Sequence, residues 1–189
     1  NELAISSLIM KLFMIVSYFA DGFAYAGEAM VGKAFGEQQV SQDKLHLGIS
    51  RLVWTLHLWC LGIAVLFSLI FGLWGEHIMH ALWLEVAQAA SGWNYLPWLV
   101  AMPLLSAPAF MWDGIYVGAT ASREIRDAMI ASAAGFVLVY VFLKYHMGIE
   151  AVLYAYFAHL LARDIYLTVF WKRTYDRQIS ASPLAGVEK

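Results

Sequence analysis

From Leu52 to Leu73 the chain has no Asp, Glu, Lys or Arg. A helix needs about 20 apolar residues to cross the hydrocarbon core of a bilayer. This run, bounded by Arg51 and Gly75-Glu76, therefore predicts a span over 46–74. A second charge-free stretch runs from Val86 to Trp112 and the apolar pattern continues past Asp113. Its opening, Gln88 to Asn94, is polar, which predicts an interfacial segment over 76–92 and a span over 93–121. Ala128 to Leu143, extended by the snorkelling stem of Lys144, predicts a span over 128–146. Ile149 to Trp171, interrupted by Arg163 and Asp164, predicts another over 149–171. The opening stretch, 3–34, carries Lys11, Asp21 and Glu28 among apolar and small residues. Isolated charges in such a run face a bundle interior or a cavity, so it too is read as a span. The expected fold is all-α: a polytopic transmembrane helix bundle of about five spans over 1–173, with a cytoplasmic tail over 174–189.

The charges between the spans orient them. Lys33, Lys44 and Arg51 follow the first span, and no Lys or Arg separates the second from the third. Arg123 and Arg126 follow the third, Lys144 alone the fourth, and Lys172, Arg173, Arg177 and Lys189 the last. Basic residues accumulate in cytoplasmic loops, so this alternation places the chain's N-terminus outside and its C-terminus in the cytoplasm. The chain opens on Asn1 with no signal-peptide pattern, and an odd number of spans starting outside suggests that the natural N-terminus lies upstream.

Composition agrees with lipid as the solvent. Of 189 residues, 61% are hydrophobic and 14% charged, against roughly 25% charged in soluble domains. A net charge of -2 gives no basic surface for nucleic acid, and the lone Cys60 excludes a disulfide framework.

Two acids stand out by depth. At 1.5 Å per residue, Asp21 lies roughly 18 Å from Lys33, and Asp113 roughly 15 Å from Arg123. Both carboxylates then fall near the centre of a core about 30 Å thick, where an uncompensated charge is costly. Water, a cation, a proton or a basic partner must accompany them. Each acid is followed by a glycine, Gly22 or Gly114, that permits close approach of a neighbouring helix or ion. Pro108, one turn before Asp113, removes a backbone hydrogen bond from Leu104, so Pro108, Gly114 and Gly22 are candidate hinge positions.

Arg163 has two readings: counter-charge for a midplane acid on another helix, or a side chain snorkelling toward the cytoplasmic headgroups. Glu28, seven residues after Asp21, shares its helix face and either lines a vestibule or pairs with Lys33. Tyr25, Phe110, Trp112 and Tyr116 offer aromatic faces to a cationic cargo, or simply pack. His77 and His80 have metal-ligand spacing, with Glu76 beside them as the nearby third ligand, and read as solvated interfacial side chains. His57 reads as a packed, hydrogen-bonded histidine. No nucleophile with its base, no metal cluster and no phosphate loop is visible, so neither an enzyme nor a bound cofactor is expected.

Residues 18–32, Tyr18-Phe19-Ala20-Asp21-Gly22-Phe23-Ala24-Tyr25-Ala26-Gly27-Glu28-Ala29-Met30-Val31-Gly32, followed by Ala34-Phe35-Gly36, resemble the eighth helix of the multidrug and toxic compound extrusion (MATE) family, nearest its DinF-like branch. Asp113-Gly114-Ile115-Tyr116-Val117-Gly118-Ala119-Thr120, then Arg123-Glu124-Ile125-Arg126-Asp127-Ala128-Met129, resembles that branch's tenth helix and the loop after it. The resemblance implies helices eight to twelve of the C-terminal lobe of an inner-membrane antiporter, with helix seven and the N-terminal lobe as missing partners. It also implies export of organic cations or drugs in exchange for H+ or Na+. Asp113 falls where the sodium-linked branch carries a cation-site acid, although that branch's tyrosine one turn earlier is Ala109 here. Asp113 and Asp21 are the expected ion, proton or substrate contacts, joined by Arg163, Tyr116, Tyr25 and Glu28. The alternatives are a lipid-linked oligosaccharide flippase of the same superfamily and a non-transporting membrane fragment.

Overall fold

A computed structural model describes residues 2–36, 42–82, 96–148 and 150–180. They form five helices: α1 (Glu2–Gly36), α2 (Gln42–Leu82), α3 (Leu96–Gly118), α4 (Ser122–Met147) and α5 (Glu150–Ser180). No strand occurs among the described residues. Among the described residues, four stretches are long and apolar enough to cross a membrane: Ile9–Gly36, Gly48–Ile78, Leu96–Gly118 and Ser122–Met147. α5, with 31 residues, has the length. Its charges, including Arg163 and Asp164, keep it out of that set.

α3 occupies the middle of the bundle, packed against α1, α2 and α5, while α4 lies chiefly against α5. Close approach of α1 and α3 follows from Gly114 and Gly118, spaced four apart on one face of α3. A side chain on Gly114 would run into the backbone of Ala24, and one on Gly118 would stand 2.5 Å from the Glu28 carbonyl oxygen. Between α2 and α3 the fit is different. Pro103 deprives the preceding turn of a backbone donor, and the Ser68 hydroxyl of α2 donates to the Val100 carbonyl there, at 2.8 Å. Ser106 donates to the Pro103 carbonyl itself, at 3.3 Å. α3 stays helical through both Pro103 and Pro108, with these side-chain hydroxyls bonded to carbonyls close to the two prolines.

α3 ends in a tight C-terminal motif. The Ala121 amide donates to the Tyr116 carbonyl at 2.9 Å, and the Thr120 amide to Val117 at 2.8 Å. That closure needs a left-handed residue, and Thr120 supplies it at φ 55°. The turn from α4 to α5 uses Gly148 at φ 53°, the residue type that adopts this region without strain.

The outer surface is apolar. Trp54, Trp59 and Leu73 on α2, and Leu138, Phe142 and Tyr145 on α4, are more than half exposed. Apolar exposure on this scale suits lipid contact and not water. The chain is a helical, multi-pass membrane bundle.

Several boundaries differ from the sequence expectation. α2 does not stop near Gly75 but continues through Glu76 and His77 to Leu82, because nothing there breaks the helix and Gly75 is buried against Leu96. The remainder of the expected interfacial segment, 83–92, lies outside the described residues. α4 begins at Ser122, directly after the closing turn, six residues before its expected start at Ala128. The expected tail from 174 is helical as far as Ser180. Thr174 and Tyr175 are buried in the bundle, Tyr175 packs against Phe35 with ring centroids 6.0 Å apart, and Arg177 pairs with Glu124. Residues 181–189 lie outside the described residues.

Candidate functional site

α3 presents two distinct faces. Gly114 and Gly118 meet α1, whereas Trp112, Asp113 and Tyr116 turn toward α5. On that second face three side chains make three polar ties. The Trp112 indole N–H donates to Thr168 Oγ1 at 2.9 Å. The Tyr116 hydroxyl donates to the Leu167 carbonyl at 2.6 Å. Arg163 Nη2 donates to Asp113 Oδ2, forming an ion pair between largely buried side chains, 13% and 24% exposed respectively. The helical period explains the grouping: Asp113 and Tyr116 are three apart on α3, and Arg163 and Leu167 four apart on α5.

The pair is made through one oxygen and one nitrogen. Asp113 Oδ1, Arg163 Nε and Asp164 Oδ1 are buried and find no hydrogen-bond partner among the described residues. Asp21, half-buried on α1 one turn before Ala24, is near enough for its charge to act on Asp113. Two carboxylates from separate helices therefore bear on one region, and one guanidinium answers them.

The remaining expected site residues are distributed differently. Tyr116 is in the seam but fully buried with its hydroxyl engaged, and Tyr25 is 70% exposed on α1. Phe110 packs with Ile9, Phe13 and Met102 in a separate cluster. Trp112 and Tyr116 touch, with centroids 5.8 Å apart, so the four aromatic rings do not converge on one cage. Glu28 is half-buried, and its backbone receives Gly118. Pro108 lies within unbroken α3, Gly114 at the α1 crossing, and Gly22 faces open space.

His57 packs edge-on against Trp112, centroids 4.6 Å apart, with its Nδ1 hydrogen-bonded to the Val53 carbonyl at 2.9 Å. No group of three His, Cys, Asp or Glu among the described residues is placed to hold a metal ion. Two partners in and near the site escape sequence reasoning: Thr168, which anchors Trp112, and Glu124, which pairs with Arg177 across α4 and α5. Both contacts join helices whose relative rotation no spacing pattern states.

Comparison with known proteins bears on the same helices. Over 174 residues the chain is 34% identical to the DNA damage-inducible protein F of Escherichia coli (strain K12). The match covers 90% of this chain and 36% of that protein, so the chain spans about a third of the length of the curated relative it matches. No family model matches the chain, and no solved structure matches it. The resemblance to the DinF-like branch of the MATE family, carried in the sequence by residues 18–32 and 113–129, is borne out across nine-tenths of the chain.

Proposed function

We propose that this chain is the C-terminal portion of a secondary active efflux antiporter, exporting organic cations or drugs in exchange for H+ or Na+. The observation that carries the reading is the Asp113–Arg163 pair, seated between apolar helices with Asp21 in electrostatic reach. A carboxylate at such depth is costly unless it has a cationic or protonic companion, and transport turns that companion into an exchangeable one. Asp113 is the principal cation or proton contact, and Asp21 adds negative potential from the facing helix. The bundle sits in the inner membrane with its N-terminus outside and C-terminus in the cytoplasm, surrounded by lipid. Helix seven of the same lobe and the N-terminal lobe complete the cavity.

An anionic lipid-linked oligosaccharide is a poorer cargo for this site. Arg163, the guanidinium at the seam, is already held by a carboxylate.

The test is transport by the complete protein in proteoliposomes, with tetraphenylphosphonium as cargo and an imposed proton or sodium gradient. Asp113→Asn is expected to lower ion-coupled transport at least about tenfold, equivalent to losing one interaction of about 1.4 kcal/mol. Transport equal to wild type would remove Asp113 from the mechanism.

A further inference from the structure

The chain contains two Arg-Asp pairs on helices, and they are arranged differently. Near the start of α4, Arg126 folds onto its neighbour Asp127, with Nε and Nη2 both donating to Oδ1 at 2.9 and 2.8 Å. In α5, Arg163 instead reaches across to Asp113 on α3. Of the three atoms that meet in the first pair, the counterparts of two are left over in the second, while Arg163 Nη2 is taken by Asp113. Arg163 Nε and Asp164 Oδ1 are both buried and without a hydrogen-bond partner among the described residues. Buried donors and acceptors in that condition are rare, since the unmade bond costs more than a made one gains.

We infer that Arg163 has two seats. Asp113 is the seat occupied here, and Asp164 is the second, reached by the same local fold that Arg126 makes on Asp127. The inference rests on reading Asp113 as the cation contact, and it deepens that reading. A cargo cation arriving at Asp113 must displace the guanidinium already there. Stranding an arginine in a low-dielectric interior is strongly unfavourable, and the buried, unpartnered Oδ1 of the adjacent Asp164 is the acceptor that relieves it. Arg163 is thus a tethered competitor for Asp113, and Asp164 a positioning residue that acts through Arg163 without touching cargo. Cargo affinity depends on both: Asp113 attracts the cation, and Asp164 takes the arginine away.

Charge supports the exchange. Asp113 pairs with Arg163, Asp21 lies on the facing helix one turn before the Ala24–Gly114 crossing, and Asp164 adjoins Arg163 in sequence, so acidic side chains outnumber Arg163 around this joint and a further positive charge is accommodated when Arg163 changes seat.

The first arm of the test needs no cargo. Melting temperatures of the complete protein in detergent are compared for Asp113→Asn, Asp164→Asn and the double variant. Each single substitution leaves Arg163 one carboxylate, so each shift is small. The double variant leaves none, and its shift is expected to exceed the sum of the two by at least about twofold, a coupling typical of residues sharing one partner. In an Arg163→Gln background the coupling disappears. Additive shifts overturn the two-seat inference.

A second arm measures tetraphenylphosphonium binding by titration calorimetry, and decides alone if the double variant does not fold. Asp164→Asn is expected to weaken binding about tenfold, and Asp164→Glu to restore it, a rescue that a merely structural role for Asp164 would not give. Unchanged binding in Asp164→Asn overturns the inference. If wild type binds no cation while the stability shifts are coupled, the two seats stand and the cargo reading fails. If it binds and the shifts are additive, the cargo reading stands and the two seats fail.

Discussion

The backbone of Gly114 lies against the carbonyl of Ala24 so closely that a methyl group on Gly114 would overlap the Ala24 oxygen. One turn later Gly118 meets Glu28 in the same way, where a methyl group would stand 2.5 Å from the carbonyl oxygen. Lipid offers no hydrophobic drive for helices to associate, so backbone contact of this kind supplies van der Waals attraction that bulkier residues would prevent. It also sets Asp113 next to the contact line, with Asp21 on the opposing helix.

Gly114→Ala is expected to destabilise the bundle by about 1–3 kcal/mol, the usual cost of overpacking a tight interior. Gly22 follows an aspartate in the same way, but a methyl group added there would meet nothing within 4 Å. Gly22→Ala should therefore be neutral or stabilise by up to about 1 kcal/mol, through helix propensity alone. Thermal unfolding of the two purified variants, side by side, separates these outcomes. Equal effects would mean that α1 and α3 do not cross at Gly114.

Thr120 holds a left-handed conformation at φ 55° to close α3. A β-branched residue there carries strain that glycine does not. Thr120→Gly should raise stability by about 1 kcal/mol, provided the turn is as described. A loss on the same unfolding assay would show that the Thr120 side chain makes a contact worth more than its backbone strain.

Tyr116 is fully buried and spends its hydroxyl on the Leu167 carbonyl. Tyr116→Phe should cost about 1 kcal/mol of stability, the net worth of one hydrogen bond. Cargo affinity should be unchanged, because the ring has no free face for a cation. Weaker tetraphenylphosphonium binding at unchanged stability would make Tyr116 a cargo contact after all.

Much of the architecture was legible because lipid imposes a length rule on apolar runs. α1 is the instructive case: Lys11, Asp21 and Glu28 fail a simple charge filter, yet the residues between them have the composition of a buried helix, and α1 is one helix from Glu2 to Gly36. Its side chains confirm the logic at Val16, Ala20 and Val31, which are buried against the bundle. The ends were less legible. α5 continues to Ser180 because Thr174 and Tyr175 find a buried niche and Arg177 finds Glu124, and those partners lie on other helices.

The candidate site was readable as a set of residue types and unreadable as an arrangement. Depth alone singled out Asp21 and Asp113. Spacing left Arg163 between two roles, and only the rotation of α5 relative to α3 brings its guanidinium to Asp113. Gly22 and Gly114 look equivalent in sequence, each following an aspartate, but only one faces a neighbouring backbone. In the same way Tyr25 and Tyr116 are both aromatic positions near an acid, one 70% exposed and the other 0%. Which face of a helix meets a neighbour is a property of the pair of helices.

The two sides of α3 are joined by different kinds of adhesive. Toward α1 the glycine contacts work only at close range and give nothing back when parted. Toward α5 the ties at Trp112 and Tyr116 are hydrogen bonds that water is able to replace, and the tie at Asp113 ends on a carboxylate that a proton or a small cation is able to satisfy. A visitor at Asp113 therefore does more than neutralise a charge: it takes over one rivet of the α3–α5 joint. On the proposed function, occupancy at that single side chain would become looseness between two helices, giving a binding event of molecular size mechanical leverage.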